Sequence, residues 1–191
     1  VCAPNVKSFM LNQKYWIKKI RNADNLILND QGIIEFNKKT FQRMRFRGFE
    51  EWLYDLKTYP GTITRRKLLN ILQTHSSEDV FPRKTCYDIN ANRITDLMKQ
   101  EALSQSNFSG IPDEINVRWG MVVKRENVRA FPTETVFAEE PEAIDFDLFQ
   151  LAVLPVGSPV AILHKSKNEK WYYTQSTISK GWVKRENMAL A

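Results

Sequence analysis

The segment 170–187, KWYYTQSTISKGWVKREN, decides the fold of the C-terminal part of this 191-residue chain. Its two runs, KWYYTQS and GWVK, are short and rich in Val, Tyr and Trp, which are residue types enriched in β-strands. Turn-forming residues precede them, with Asn168 before the first run and Gly181 at the start of the second. We therefore predict antiparallel strands joined by hairpins that turn at Asn168 and at Gly181.

Two further runs upstream have the same character, VRWGMVV at 117–123 and PVAILH at 159–164. The helical spacing of the earlier sequence stops at Gly110 and Pro112, so we predict a small antiparallel β-barrel over residues 113–191. The segment 129–158 is predicted to be one long loop, and loops of this length are usually functional or mobile. It is acidic, with Glu134, Glu139, Glu140, Glu142, Asp145 and Asp147.

The pentapeptide VKREN occurs twice, at 123–127 and at 183–187. A tandem array would require the second copy to begin another barrel, but four residues follow it, so we expect this copy to close the barrel. Both copies follow a strand-like run, and strand alternation would turn Val123 and Val183 inward and the charged residues outward. We attribute the identity to a shared pattern at strand edges, with an old duplication as the alternative.

The first 112 residues carry apolar side chains at helical spacing and predict a helical domain. Asp30 and Thr64 occupy positions at which they can cap helices. The predicted fold class is therefore α+β, with a helical domain at 1–112 and a β-barrel at 113–191. The helical stripes comprise Ile33, Phe36, Phe41 and Met44, then Phe49, Trp52, Leu53 and Leu56, and finally Ile94, Leu97, Met98 and Ala102.

The net charge of +6 lies in the first part of the chain. Residues 1–112 carry 18 Lys and Arg against 11 Asp and Glu, whereas residues 113–191 carry 10 against 11. Basic clusters attract polyanions, although a solvated helix face is their more common explanation. Nucleic-acid binding is the weakest alternative, because the predicted barrel is slightly acidic and lacks a basic groove with stacking aromatic residues. No apolar run approaches the ~20 residues of a transmembrane helix, so no such segment is predicted.

No catalytic site, metal site or cofactor is predicted from the scattered Cys2, Cys86, His75 and His164. Structural zinc needs about four ligands at characteristic spacings, and these residues do not provide them. A catalytic thiol needs a neighbouring imidazole and a lowered pKa. We interpret Cys86 as a buried structural thiol, and Cys2 as a surface thiol or the remnant of a lipid-modified site.

Three segments resemble the bacterial SH3-like domain that precedes the catalytic domain in NlpC-type cell-wall cysteine peptidases. They are WGMVVKRENVRAFPTETVF at 119–137, DFDLFQLAVLPVGSPVAILHKS at 145–166, and EKWYYTQSTISKGWVKRENMALA at 169–191. The stretch QKYWIKKIRNADNLILNDQGIIEFNKK at 13–39 is similar to the helical stabilising segment ahead of that domain. The resemblance thus implies an SH3-like barrel behind a helical segment.

The resemblance also implies an exported bacterial enzyme of the cell envelope that cleaves peptidoglycan stem peptides, typically a γ-D-glutamyl-L-diamino acid endopeptidase. The catalytic Asp-Cys-Ser-Gly motif of that family does not occur here, since Thr85 and Tyr87 flank Cys86. The chain is therefore expected to be a non-catalytic targeting or substrate-gating part, whose partners are a stem peptide or wall polymer and the peptidase domain. A stand-alone wall-binding protein is the alternative.

The same resemblance implies that one edge of the SH3-like domain faces the substrate or the peptidase. A guanidinium group binds a carboxylate in two-point fashion, which suits a short anionic peptide. Packing inside the barrel, pairing with the acidic loop and turn formation are the competing structural roles. The candidate substrate-binding residues are Arg125, Arg129, Phe131 and Thr133, followed by Trp171 and Tyr173 on the barrel surface.

Overall fold

The structure, a computed structural model, describes residues 5–21, 25–46, 54–143 and 145–191. The chain divides into two compact units, Val1–Phe46 and Arg47–Ala191. Helices precede a mostly antiparallel β-region, so the predicted α+β class is confirmed. The domain boundary predicted between residues 112 and 113 stays a prediction.

The described part of the first unit contains a 3₁₀ helix, Ser8–Leu11, and two α-helices, α1 at Gln13–Ile17 and α2 at Asp30–Phe46. The helix predicted from residue 30 onward is confirmed, but its cap is Asn29, whose Oδ1 accepts a hydrogen bond from the backbone N–H of Gly32 at 2.8 Å. Ile33 and Phe36 are exposed whereas Phe41 and Met44 are half-buried, so only the second half of the predicted apolar stripe is shielded from water. Helical spacing identified the helix, but it did not determine which face is buried.

Two longer helices lie in the second unit, α3 at Arg65–Ser76 and α4 at Asp96–Gln105. Thr64 caps α3 as predicted, accepting from the N–H of Lys67 at 3.3 Å. On α4, Ala102 is buried but Leu97 is 74% exposed, so only part of the predicted stripe packs inward. The helix predicted around Phe49, Trp52 and Leu53 falls outside the described residues, and Leu56 begins a short 3₁₀ helix, Leu56–Thr58.

The described residues of the second unit also form nine short strands. Strands β1 and β2 form a two-stranded antiparallel ribbon, and the other seven form one antiparallel sheet in the order β5-β4-β8-β7-β6-β3-β9. The strands are β1 Thr62–Thr64, β2 Glu114–Asn116, β3 Arg118–Val122, β4 Glu126–Arg129, β5 Gln150–Leu154, β6 Pro159–Lys165, β7 Trp171–Gln175, β8 Lys180–Lys184 and β9 Met188–Leu190.

Both faces of the central strands are buried. One face closes around an apolar cluster that includes Val122, Val160, Tyr172 and Val183. The opposite face carries Trp171, Tyr173 and Trp182, which pack against helix α3 and the β1–β2 ribbon. The indole N–H of Trp182 donates to Ser76 Oγ on α3 at 3.1 Å. The sheet therefore has a helical layer over the face that a free-standing small barrel would expose to water.

The loop between β4 and β5 is anchored by an aromatic cluster. Phe131 stacks on Phe81 with ring centroids 4.4 Å apart, and Phe137 stacks on Phe149 at 4.0 Å. Phe131, Phe137 and Phe149 are essentially inaccessible to solvent. The loop thus leaves the sheet at Ala130 and returns at Phe149 with its apolar side chains buried.

Three predicted features of the β-region need correction. The predicted loop 129–158 contains strand β5, because Gln150–Leu154 pairs with β4. The turn at Asn168 is confirmed between β6 and β7, but Gly181 lies inside β8 and the β7–β8 hairpin turns before it. Val123 is 50% exposed whereas Val183 is buried, so only the second VKREN copy has the predicted inward valine. That copy leads into β9, which pairs with β3.

No helix within the described ranges is both long enough and apolar enough to cross a membrane.

Candidate functional site

Two adjoining cavities lie on the sheet where the two VKREN copies meet. The first has a volume of about 400 Å³ and the second about 520 Å³. Glu134, Trp171 and Lys184 line both of them, so the two cavities form one groove with a shared middle. The first is otherwise lined by Lys124, Arg125, Glu126, Asn127, Arg129 and Asn187, and the second by Glu169, Lys170, Arg185, Glu186 and Met188.

The middle of this groove is built by strands β7 and β8. Trp171 and Lys184 are directly opposite each other in the antiparallel ladder, so their side chains lie on the same face of the sheet. Lys184 Nζ lies 6.0 Å from the centroid of the Trp171 ring and 2.9 Å from Glu134 Oε2. An aromatic wall, a cation and an anion therefore meet where the two cavities join.

The two VKREN copies are joined by hydrogen bonds at the floor of the first cavity. The N–H of Val123 donates to the carbonyl of Asn187 at 2.9 Å, and Asn187 Nδ2 donates to Glu126 Oε2. Glu126 is 4% exposed and Asn187 is 7% exposed. The structure thus brings together two segments that are far apart in the sequence and fixes an acceptor at the base of the cavity.

The loop that carries Glu134 is held by Arg129. The Arg129 guanidinium donates to Asp147 Oδ2 at 2.6 Å and to the carbonyl of Thr135 at 2.7 Å. The other Asp147 oxygen accepts from the N–H groups of Phe137 and Phe149. Thr133 Oγ1 accepts from the N–H of Thr135 at 3.1 Å. These bonds fix the residues on both sides of Glu134.

The first cavity is lined by more cations than carboxylates, whereas the second is lined by equal numbers, namely Lys170, Lys184 and Arg185 with Glu134, Glu169 and Glu186. Among the described residues, Lys124, Arg125 and Lys170 have no ion-pair partner, and all three are exposed. Arg125 and Lys124 belong to the first cavity and Lys170 to the second. An anionic ligand would therefore find a free cation in each cavity.

Residues 136–184 match the family described as SH3 domain (SH3b1 type). The chain carries an SH3b1-type SH3 domain. The matched residues run from the β4–β5 loop to the end of β8, and thus include Trp171 and Lys184. The SH3b1-type domain that the sequence motifs predicted is confirmed.

The fold is also similar to a solved structure, an NlpC/P60 endopeptidase from Photobacterium damselae subsp. piscicida, with a TM-score of 0.53 over 80% of the chain. The sequences are 19% identical, so the likeness concerns the fold alone. The chain spans 37% of the length of that endopeptidase. No curated protein sequence matches the chain significantly.

The six predicted binding residues occupy different environments, and only Trp171 and Tyr173 lie within the residues matched to the SH3b1-type domain. Arg125 is exposed at the first cavity, and Trp171 lines both cavities although it is only 4% exposed. Arg129 pairs with the acidic loop, which is the structural role weighed against binding, and Thr133 braces that loop. Phe131 is fully buried. The surface position predicted for Trp171 and Tyr173 is wrong, because both side chains are buried in the cluster formed with the helical layer.

The sequence interpretation missed Lys184 and Glu134 as a pair. Lys184 is recognisable in principle, because a regular β7–β8 hairpin places it opposite Trp171. Glu134 is not recognisable in this way, since its position depends on the buried contacts of the β4–β5 loop.

The side chains of Cys86 and His164 are both buried. Cys86 is 1% exposed within the aromatic cluster, and burial raises the pKa of its thiol. His164 Nε2 lies 3.1 Å from the carbonyl oxygen of Asn107, and burial lowers the pKa of its ring. A raised thiol pKa is opposite to what a nucleophilic cysteine requires. Within the described ranges, no group of three or more His, Cys, Asp or Glu side chains is arranged to hold a metal ion.

Proposed function

We propose that the chain is the non-catalytic, wall-binding part of a bacterial peptidoglycan hydrolase of the cell envelope. In this proposal the groove holds a stem peptide for a γ-D-glutamyl-L-diamino acid endopeptidase and restricts which peptides reach it. The SH3b1-type domain and the fold likeness to an NlpC/P60 endopeptidase support a cell-wall-associated accessory role. The peptidase domain would be the partner of the chain.

The observation that carries the proposal is the charge arrangement of the first cavity. Its exposed cations, Lys124 and Arg125, lie around the buried oxygen acceptor Glu126, and Trp171 provides an apolar wall. Stem peptides are short chains that alternate carboxylates with amide N–H groups. The cations of the cavity can pair with the carboxylates of the peptide, and the Glu126 carboxylate can accept a hydrogen bond from a peptide N–H. The cavity therefore offers complementary groups for both parts of the ligand.

The proposal is tested by direct binding. Purified chain is mixed with sacculi stripped of teichoic acid, the sacculi are pelleted, and the bound fraction is measured. Arg125→Met should reduce binding, and added salt should weaken it because the contacts are between exposed charges. Arg83→Met is the matched control, since Arg83 is exposed and lies outside the groove-lining residues.

Two results would overturn the proposal. One is equal binding of wild type, Arg125→Met and Arg83→Met, which would exclude the first cavity as the contact. The other is hydrolysis of stem peptides by this chain that is abolished by Cys86→Ala, since the chain would then be the enzyme itself. If the natural protein has no peptidase domain and still binds sacculi, a stand-alone wall-binding function is favoured instead.

A further inference from the structure

We propose that the Glu134 carboxylate occupies the position of a ligand carboxylate on Lys184, and that the groove takes an anionic peptide long enough to displace it and fill both cavities. This inference rests on the proposed function and deepens it, because it specifies the length and charge spacing of the ligand. The groove would then select peptides with carboxylates on successive residues over single amino acids.

The first step of the argument is the position of the Lys184–Glu134 ion pair. Its two members line both cavities, and their charged atoms are 2.9 Å apart. The pair therefore crosses the groove at its middle, beside Trp171. A ligand that extends from the first cavity into the second must pass this pair.

The second step concerns how firmly Glu134 is held. Its side chain is 73% exposed, and exposed ion pairs contribute little to stability because water and salt screen them. The neighbouring Arg129–Asp147 pair is different, with side chains 7% and 9% exposed and additional hydrogen bonds. Glu134 can therefore swing away while the buried pair keeps the backbone of the loop in place.

The third step concerns Lys184, whose side chain is only 28% exposed. Because it is partly buried beside Trp171, a cation at this position favours retaining a counter-ion. A ligand carboxylate can take the place of Glu134 without leaving Lys184 uncompensated. The exchange breaks the weak, exposed ion pair between Lys184 and Glu134 and forms a new ion pair between Lys184 and the ligand.

The fourth step concerns ligand length. Arg125 contacts only the first cavity and Lys170 only the second, with Lys184 between them. A ligand that pairs with all three cations needs several anionic groups along one chain. Free glutamate has only two carboxylates, so it cannot give each of the three cations its own carboxylate.

The test compares two probes, the tripeptide L-Ala-γ-D-Glu-meso-diaminopimelate and free D-glutamate, by isothermal titration calorimetry. Glu134→Gln should bind the tripeptide about two- to fivefold more tightly than wild type, which is the range expected for releasing an exposed ion pair. Glu139→Gln is the matched control, because Glu139 is another exposed loop glutamate that pairs with Lys84 away from the groove. It should leave affinity unchanged.

A double-mutant cycle makes the assignment specific. In a Lys184→Met background, Glu134→Gln should no longer raise affinity, and D-glutamate should bind wild type and Glu134→Gln more weakly than the tripeptide does. If Glu134→Gln binds the tripeptide no more tightly than wild type does, this inference is overturned. The proposed function stays intact in that case, provided that Arg125→Met weakens tripeptide binding. No tripeptide binding by wild type or by Glu134→Gln would overturn both.

Discussion

Asn187 donates a side-chain hydrogen bond to Glu126 Oε2, and both side chains are more than nine-tenths buried. Each belongs to a different copy of VKREN, and their counterparts Asn127 and Glu186 are exposed. Identical pentapeptides thus contribute different residues to the same contact. The first copy supplies the buried acceptor and the second supplies the buried donor.

Asn187→Ala should destabilise the protein because it leaves the Glu126 carboxylate oxygen buried without its donor. The expected loss in free energy of unfolding is about 1–3 kcal/mol, the cost of an unsatisfied buried polar group. Urea unfolding followed by tryptophan fluorescence measures it. Asn127→Ala is the matched control, since this exposed asparagine occupies the same place in the other copy and should change stability by no more than about 0.5 kcal/mol. Equal effects would contradict the assignment.

Arg129→Met should destabilise the second unit because it leaves Asp147 buried without its cation and removes the bond to the Thr135 carbonyl. Removing one partner of a buried ion pair typically costs about 3–5 kcal/mol. Thermal unfolding by circular dichroism measures the change. Arg125→Met should leave the melting temperature nearly unchanged, because Arg125 is exposed and unpaired among the described residues. A stable Arg129→Met protein would show that the loop is held by its aromatic cluster alone.

Gly181→Ala should destabilise the sheet because strand β4 passes too close for a side chain. A Cβ atom there would lie 2.6 Å from Val128 Cγ1 and 2.7 Å from the carbonyl oxygen of Arg129, and the residue has φ of +156°. Overpacking of this kind costs about 1–3 kcal/mol. Gly61→Ala is the control, because no atom lies within 4 Å of its added Cβ. Chemical denaturation that finds both substitutions harmless would contradict the close approach of β4.

His164 should make the protein less stable as the pH falls. Burial lowers the pKa of its imidazole below the ordinary value of 6.5, so the unfolded chain binds a proton at a pH where the folded protein does not. The unfolding free energy should therefore decrease as the pH drops from above 6.5 toward the lowered folded pKa. Urea unfolding at about pH 8 and about pH 5.5 measures this decrease, which should be smaller in His164→Gln. An equal decrease in both proteins would assign the pH dependence to other groups.

Much of the fold could be predicted from local sequence patterns. The Thr64 cap gave the start of α3, and the β-rich runs gave β3, β6, β7 and β8, because hydrogen bonding and strand propensity act over a few residues. Strand β5 was missed, since its run QLAVL lies within an acidic segment that resembles a loop. The turn predicted at Gly181 is wrong because this glycine allows β4 and β8 to approach closely instead of forming a turn.

The candidate site was only partly predictable for the same reason. Arg125 and Trp171 were recognised as cation and aromatic group, and both line the groove. Arg129 was recognised too, but whether it faces a ligand or Asp147 depends on how the β4–β5 loop folds back. Residue type indicates which interaction a side chain can make, whereas the partner comes from elsewhere in the chain.

The sequence by itself determined the α+β class, the strand-rich C-terminal half and the SH3b1-type motifs, since these depend on residues that are close together in the chain. Only the tertiary structure decided which VKREN residues are buried, that α3 covers Tyr173, and that Glu134 meets Lys184. Burial and ion pairing join segments separated by tens of residues, so they depend on how the whole chain packs and not on any local pattern.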